Sequence, residues 1–125
     1  MPKRPAITLS IQDRERLYRL LDHHRGDDEV VDHLYEELER ANFLETEKMP
    51  ANVVSLDSKV TFFNEDNNKT YEMTLVMPPK ASSASTISIL SPAGAALLGL
   101  KTGDRIEWPS NGKLLHLRLL DVARC

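Results

Sequence analysis

The fold of this chain is decided by the stretch Ser91-Pro92-Ala93-Gly94-Ala95-Ala96-Leu97-Leu98-Gly99-Leu100-Lys101-Thr102-Gly103-Asp104. It predicts a short helix, because Ser91 suits the N-cap, Pro92 suits the first helical position and Gly99 is placed to end it. Strand-like patterns flank the stretch on both sides. None of its residues is a plausible catalyst, so the stretch indicates architecture first.

Composition and charge exclude several classes of protein. The chain has 125 residues and a net charge of −3, so it is long enough for a domain with a real core and shows no basic stripe. We therefore expect no direct sequence-specific binding to nucleic acid. The first residues do not resemble a signal peptide and no apolar run approaches membrane-spanning length, which favours a cytoplasmic protein with no membrane partner. A single cysteine, Cys125, excludes an intrachain disulfide and favours a reducing compartment.

Charge also divides the chain into two parts. Residues 10–48 carry twelve acids and six bases, whereas residues 49–125 carry seven acids and eight bases. Near Glu47-Lys48-Met49-Pro50 a helical pattern gives way to β-branched residues, and the proline prevents the helix from continuing. We predict a helical hairpin in residues 1–48 and a β-rich domain in residues 49–125.

Two amphipathic patterns predict the hairpin. Ser10 and Asp13 stand at capping-box spacing ahead of an apolar face made by Leu17, Leu20, Leu21 and His24. Gly26 interrupts this pattern, and Asp27 or Asp28 can cap a second helix. The apolar face of that helix comprises Val31, Leu34, Leu38 and Ala41. The short connection predicts antiparallel helices, and we expect Phe43 and Leu44 to contact the β domain.

From Val53 onward the sequence alternates with a period of two. Residues 60–63, 71–76, 86–90, 104–108 and 114–120 read as strands, and Asn111-Gly112 is a hairpin turn signal. Five or six strands with one short helix predict an antiparallel sheet wrapped partly around that helix. The predicted fold class is α+β.

Two segments resemble a known family. Met49-Pro50 with the following Val53-Val54-Ser55-Leu56-Asp57-Ser58-Lys59-Val60, and the stretch from Ser91 to Asp104, resemble the carboxy-terminal domain of the GreA/GreB transcript-cleavage factors. The layout of the whole chain is similar to that of the Rnk group, the regulators of nucleoside diphosphate kinase, which join a short helical hairpin to this domain. GreA and GreB carry a much longer coiled coil. The resemblance implies an FKBP-like carboxy-terminal fold.

The resemblance also implies a function. Members of the family bind bacterial RNA polymerase near its secondary channel, which implies a transcription regulator rather than an enzyme. Gre factors help hold a catalytic magnesium ion with an acidic fingertip, and this sequence has Asp27, Asp28 and Glu29 at the matching tip. Carboxylates are suitable Mg²⁺ ligands, but acids at a helix N-terminus also cap it and favour its dipole. The finger is short by resemblance, so we expect competition for the channel or occupancy of it, without transcript cleavage.

Docking residues are assigned from the segment that matches the family. Ile89, Pro92 and Ala95 are the partner-binding candidates, although core packing explains Ile89 equally well. Two other functions stay open: regulation of nucleoside diphosphate kinase or another metabolic protein by direct contact, and peptidyl-prolyl isomerisation. The second would need an apolar pocket walled by aromatics, and the chain has seven aromatic residues. Fold does not establish activity.

The remaining candidate residues have simpler interpretations. His23, His24 and His33 lack regular metal-ligand spacing and are interpreted as solvated, so we expect no metal and no cofactor. His116 alternates with leucines and is expected on the exposed face of a strand. Trp108 could anchor a partner, but packing in the core or the hairpin is the favoured interpretation.

Overall fold

The computed structural model describes residues 6–24, 29–80, 85–110 and 112–123. Three α-helices and seven strands are assigned in these ranges, with short 3₁₀ turns at Thr46–Lys48 and Pro78–Lys80. The helices are α1 (Ile11–His23), α2 (Glu29–Arg40) and α3 (Pro92–Leu97). The strands are β1 (Thr8–Ser10), β2 (Asn42–Leu44), β3 (Lys59–Asn64), β4 (Lys69–Val76), β5 (Thr86–Ser88), β6 (Arg105–Ser110) and β7 (Lys113–Ala123).

The helical hairpin forms as its capping signal predicts. Ser10 is the N-cap of α1, and its hydroxyl accepts a hydrogen bond from the Asp13 backbone N–H at 3.0 Å. Such a bond satisfies one of the free N–H groups at a helix start. The apolar faces of the two helices meet in the core through Leu17, Leu21, Val31, Leu34 and Leu38. Residues 25–28, where Asp27 or Asp28 was expected to cap α2, lie outside the described ranges.

A two-stranded parallel ribbon, which the sequence did not predict, lies at the base of the hairpin. β1 pairs with β2 so that Thr8 lies opposite Asn42 and Ser10 opposite Leu44. Phe43 is half-buried beneath the Arg14 guanidinium, and Leu44 is 36% exposed. Ile7 and Leu9, which come before α1 in the chain, are instead fully buried. The base therefore docks largely through the chain before α1, and the expected contact through Leu44 is minor.

The second sheet has five strands in the order β5-β4-β3-β7-β6. β3–β4, β3–β7 and β6–β7 pair antiparallel, and Ser110 opposite Lys113 closes the predicted last hairpin. β4 and β5 are parallel, so the prediction of an antiparallel sheet is wrong at this edge. A period of two identifies a strand but not its direction, so the sequence could not show that β5 runs parallel to β4. The sheet is mixed, and the FKBP-like detail stays a prediction.

The hairpin and the β domain share one core. Leucines and valines of α1 and α2 belong to the same apolar cluster as Val54, Leu98 and Leu117. Trp108 on β6 is fully buried, which confirms its predicted packing role. The ring of His33 on α2 meets the Trp108 ring edge-on at 5.5 Å between centroids. The prediction of a solvated His33 is therefore wrong, because α2 lies against β6 at this point.

No helix in the described ranges is both long and apolar enough to cross a lipid bilayer.

Candidate partner-binding surfaces

A buried carboxylate seats the hairpin on the β domain. Asp13 on α1 is 7% exposed, and its carboxylate accepts a hydrogen bond from the Leu56 backbone N–H at 3.0 Å. Arg16 lies 3.5 Å from Asp13 and 3.4 Å from Asp57. Asp57 has a positive φ of 70°, a conformation that Asp tolerates better than most residues. We call Asp13, Arg16, Leu56 and Asp57 the hairpin seat. It ties the base of α1 to the β domain.

The acidic hairpin tip is described only in part. Asp27 and Asp28 lie outside the described ranges. Glu29 is the exposed first residue of α2, where a carboxylate favours the helix dipole. Among the described residues, no group of three or more His, Cys, Asp or Glu side chains is arranged to hold a metal ion. A functional role for the three acids stays a prediction.

The three docking candidates do not share one surface. Ile89 is fully buried and Ala95 is 2% exposed, whereas Pro92 is half-buried. Neither Ile89 nor Ala95 can touch a partner directly in this conformation, because both side chains pack in the core. The accessible part of the segment is the half-buried run 90–93, which we call the β5–α3 turn.

Side-chain oxygens hold the β5–α3 turn in place. Ser91 caps α3 by accepting a hydrogen bond from the Gly94 N–H at 3.1 Å, and its own hydroxyl donates to the Ser88 carbonyl oxygen at 2.6 Å. The Ser88 hydroxyl accepts a hydrogen bond from the Leu90 N–H at 3.0 Å. The turn therefore presents Leu90, Pro92 and Ala93 in a fixed arrangement, as the Ser-Pro signal predicts for a helix start.

A charged network covers the outer end of β6 and β7. Glu65, in the β3–β4 loop, lies 2.8 Å from Arg105 and 3.3 Å from Arg118. One carboxylate oxygen of Asp66 accepts a hydrogen bond from the His116 backbone N–H at 3.0 Å. The other oxygen forms a hydrogen bond of 2.9 Å with the ring Nδ1 of His116. The other ring nitrogen of His116 lies 3.3 Å from Glu107. The network fastens the loop to the sheet.

Sequence reasoning missed this network. It predicted His116 on the exposed face of its strand, but the residue is half-buried, because Asp66 and Glu107 lie against its ring. The acids of the β3–β4 loop lie about 50 residues earlier in the chain, so no local spacing connects them to His116. The β6–β7 register alone could have placed Glu107 opposite His116.

The comparisons with known proteins agree with this two-part structure. A family model described as "Transcription elongation factor, GreA/GreB, C-term" matches residues 49–124, and one described as "Rnk N-terminus" matches residues 5–44. The regulator of nucleoside diphosphate kinase from Escherichia coli K12 is 38% identical over 122 residues, which cover 95% of this chain and 90% of that protein. The chain belongs to the Rnk group of the GreA/GreB family.

Further relatives support the same assignment. The transcription elongation factor GreA of Beijerinckia indica is 32% identical over 91 residues, which are 72% of this chain but 58% of that protein. A solved structure described as prokaryotic transcription elongation factor GreA/GreB from Nitrosomonas europaea is 39% identical. It covers 96% of this chain and 99% of its own, with a TM-score of 0.76. The Rnk-group chain therefore has the GreA/GreB fold.

In this Rnk-group chain the hairpin seat joins the two matched segments. Asp13 and Arg16 lie in the segment that matches the Rnk N-terminus, and Leu56 and Asp57 lie in the GreA/GreB segment. Burial raises the pKa of Asp13, and its hydrogen bond from Leu56 and the Arg16 charge offset this only in part. The hydrogen bond from Leu56 and the contact with Arg16 thus hold the Asp13 carboxyl in place, although burial removes it from water.

We expect Asp13→Ala to lower the free energy of unfolding by about 1–3 kcal/mol, because the Leu56 N–H would be buried without an acceptor. Asp13→Asn should cost clearly less, since an amide oxygen can accept the same bond and a neutral group is cheaper to bury. Urea denaturation of the wild type and both variants at neutral pH measures this order. Equal losses for the two variants would contradict a hydrogen-bonding role for the seat.

His116 in the Rnk-group chain is expected to make stability depend on pH. Its hydrogen bond to Asp66 and the nearby Glu107 raise its pKa above the ordinary 6.5. A raised pKa stabilises the folded state while the imidazole is charged; the contribution is complete below pH 6.5 and is lost as pH rises through the folded-state pKa. The stability advantage of the wild type over His116→Gln should therefore shrink as the pH is raised from about 6 into the alkaline range.

Urea denaturation across this pH range measures the effect. His23→Gln removes an exposed histidine of α1 and is the control for losing any histidine. A wild-type advantage over His116→Gln that grows on raising the pH would show that the neutral imidazole is the stabilising form, against this prediction.

Proposed function

We propose that this chain is a transcription regulator that binds bacterial RNA polymerase in the cytoplasm. Its GreA/GreB-like domain docks near the secondary channel and its acidic hairpin occupies the channel mouth. The observation that carries the proposal is the hairpin seat, because its contacts join the base of the hairpin to a domain of the GreA/GreB family. A projecting element can reach a channel reproducibly only if the domain that docks also fixes its direction.

The length of the hairpin supports a role without transcript cleavage. Its helices have 13 and 12 residues, so each is about 20 Å long at about 1.5 Å per residue. The B. indica GreA is longer than this chain, since the matched residues are only 58% of it. A short finger can occupy the channel mouth without carrying Asp27, Asp28 or Glu29 to the catalytic metal.

A second candidate function follows from the names of the Rnk relatives. The E. coli relative is called a regulator of nucleoside diphosphate kinase. Regulation of that enzyme would require direct contact with it, and the same accessible surfaces would then bind a different protein. Binding to each purified partner separates the two functions.

The proposal predicts the effect of a charge placed on the β5–α3 turn. Ala93→Glu should weaken binding to RNA polymerase core by about 10-fold or more, because it buries an unpaired carboxylate at the contact. The fold should tolerate it, since Ala93 is half-buried in the first turn of α3, where an acid favours the dipole.

Ala51→Glu is the matched control. Ala51 is exposed in the turn after Pro50, and its neighbour Asn52 bonds to Thr102, beyond the opposite end of α3. Equilibrium binding of fluorescently labelled protein to purified polymerase core compares the two variants. Equal affinities would place docking elsewhere, and no binding by the wild type would overturn the proposal.

A further inference from the structure

A groove lies between the two helices of the hairpin, beside the edge of their apolar contacts. It is lined by two tyrosines and three carboxylates, namely Tyr18, Asp22, Asp32, Tyr35 and Glu39. Asp32, Tyr35 and Glu39 follow one another at i, i+3 and i+7 on α2, and Tyr18 and Asp22 are four residues apart on α1. Such spacings place each set on one helix face. Of the described residues that line the groove, none is basic.

The two tyrosines are held across the groove. Their ring centroids are 6.2 Å apart with the planes tilted by 42°, and the Tyr35 hydroxyl donates to an Asp22 carboxylate oxygen at 2.6 Å. Both rings are half-buried and pack against the apolar core, so each ring is supported by the core and part of each stays accessible. Asp32 and Glu39 are exposed at the two ends of the α2 row. The groove thus combines fixed aromatic rings with flanking negative charge.

We infer that this groove binds an arginine-bearing segment of a protein partner. A guanidinium can stack on a tyrosine face while its N–H groups bond to a carboxylate, and both interactions favour a cation over a neutral side chain. Arginine fits better than lysine because its planar group makes two parallel bonds to a carboxylate. The negative charge of the hairpin, twelve acids against six bases in residues 10–48, is complementary to such a segment.

The inference rests on the proposed function only for the identity of the partner. If RNA polymerase is the partner, a basic segment at the channel mouth supplies the arginine. Carboxylates along the groove would also draw that segment in before contact, so association should slow as salt is added.

Three variants of the full chain test the groove. The double variant Asp32→Asn with Glu39→Gln, which we call the groove pair, replaces two carboxylates with neutral groups of nearly the same shape. Tyr18→Leu removes one aromatic ring but keeps an apolar side chain. The double variant Glu47→Gln with Asp121→Asn, which we call the control pair, removes two exposed carboxylates away from the groove. It changes the net charge by the same amount as the groove pair. The probe is a capped Arg-Ala repeat peptide, compared with the same peptide carrying citrulline in place of arginine.

Titrations followed by NMR give the affinity and the location. We expect the peptide to shift the ring resonances of Tyr18 and Tyr35, and the groove pair to weaken binding by about 10-fold relative to the control pair. Tyr18→Leu should weaken it by about threefold, the effect of one exposed cation–π contact. Equal weakening by groove and control pairs, or equal binding of the citrulline peptide, would overturn the inference.

Binding to RNA polymerase core separates this inference from the proposed function. A groove pair that binds polymerase more weakly than the control pair supports both. If wild type, groove pair and control pair bind polymerase alike, the proposed function stands and the groove is not used there. If the wild type does not bind polymerase, the proposed function fails, and the peptide titration alone decides whether the groove binds arginine.

Discussion

Replacing Trp108 with alanine is expected to lower the free energy of unfolding by about 3–5 kcal/mol. Trp108 is the single tryptophan of the chain and is fully buried on β6. Its ring meets the His33 ring of α2 edge-on and belongs to the apolar cluster that includes residues of β7 and α3. Truncation would leave a cavity at the junction of hairpin and β domain, so both parts should loosen together.

Urea denaturation followed by circular dichroism measures this loss without relying on tryptophan fluorescence. Trp108→Phe should cost clearly less, because an aromatic ring remains against His33. Leu114→Ala is the control for a shortened side chain at an exposed site of β7, where Leu114 is 40% exposed; it should change stability by about 0.5 kcal/mol or less. A loss below about 1 kcal/mol for Trp108→Ala would contradict a shared, well-packed core.

Gly94→Ala is expected to destabilise the protein by about 2–3 kcal/mol, against the direction of helix propensity. A Cβ at this position would overlap the Ser88 carbonyl oxygen and lie 3.0 Å from the Ser91 hydroxyl oxygen. That carbonyl accepts hydrogen bonds from both the Ser91 N–H and hydroxyl. Because backbone blocks the space, β5 and α3 must move apart, and the β5–α3 turn should lose its arrangement as well.

Gly112→Ala is the matched control for Gly94→Ala. Gly112 has a φ of 78°, and among the described residues beyond its chain neighbours none has an atom within 4 Å of a Cβ built there, so the backbone conformation is what opposes alanine. Its cost should be about 1–2 kcal/mol. Thermal and urea unfolding give both values, and polymerase binding reports the effect on the turn. Stabilisation by Gly94→Ala, as helix propensity alone predicts, would refute the close approach of α3 to β5.

Local signals in the sequence predicted the elements that local chemistry determines. Ser10 and Ser91 cap α1 and α3 because each accepts a backbone hydrogen bond three residues later. The strands of the β3–β4 and β6–β7 hairpins follow from short alternating runs, and Asn111-Gly112 signals the turn of the second hairpin. The family resemblance, carried by residues 49–60 and 91–104, agrees with the GreA/GreB match.

Features that depend on residues distant in the chain were missed. The β1–β2 ribbon joins residues 34 positions apart, and three-residue strands carry too little periodicity to be recognised. The direction of β5 depends on the crossover before it. Contacts between Asp66 and His116 and between Asp13 and Leu56 span 50 and 43 positions. Pairings of this kind require the tertiary fold.

Site residues were the least predictable part of the chain. A sequence motif identified the segment around α3, but not which of its side chains face solvent. Ile89 and Ala95 point into the core, and only Pro92 of the three retains an exposed surface. The tyrosines of the hairpin groove lie between the apolar positions of their helices, where the pattern predicts only a polar face. Their mutual approach becomes visible only when the two helices are packed.

Docking at the secondary channel is tested by competition for RNA polymerase core between the intact protein and a Gre factor, with transcript cleavage followed in paused complexes. We expect the protein to bind, to displace the Gre factor and to suppress its cleavage without cleaving transcripts itself. Cleavage by the protein alone would contradict the short-finger role and return Asp27, Asp28 and Glu29 to a metal-holding function. Failure to bind or to displace the Gre factor would contradict docking at the secondary channel.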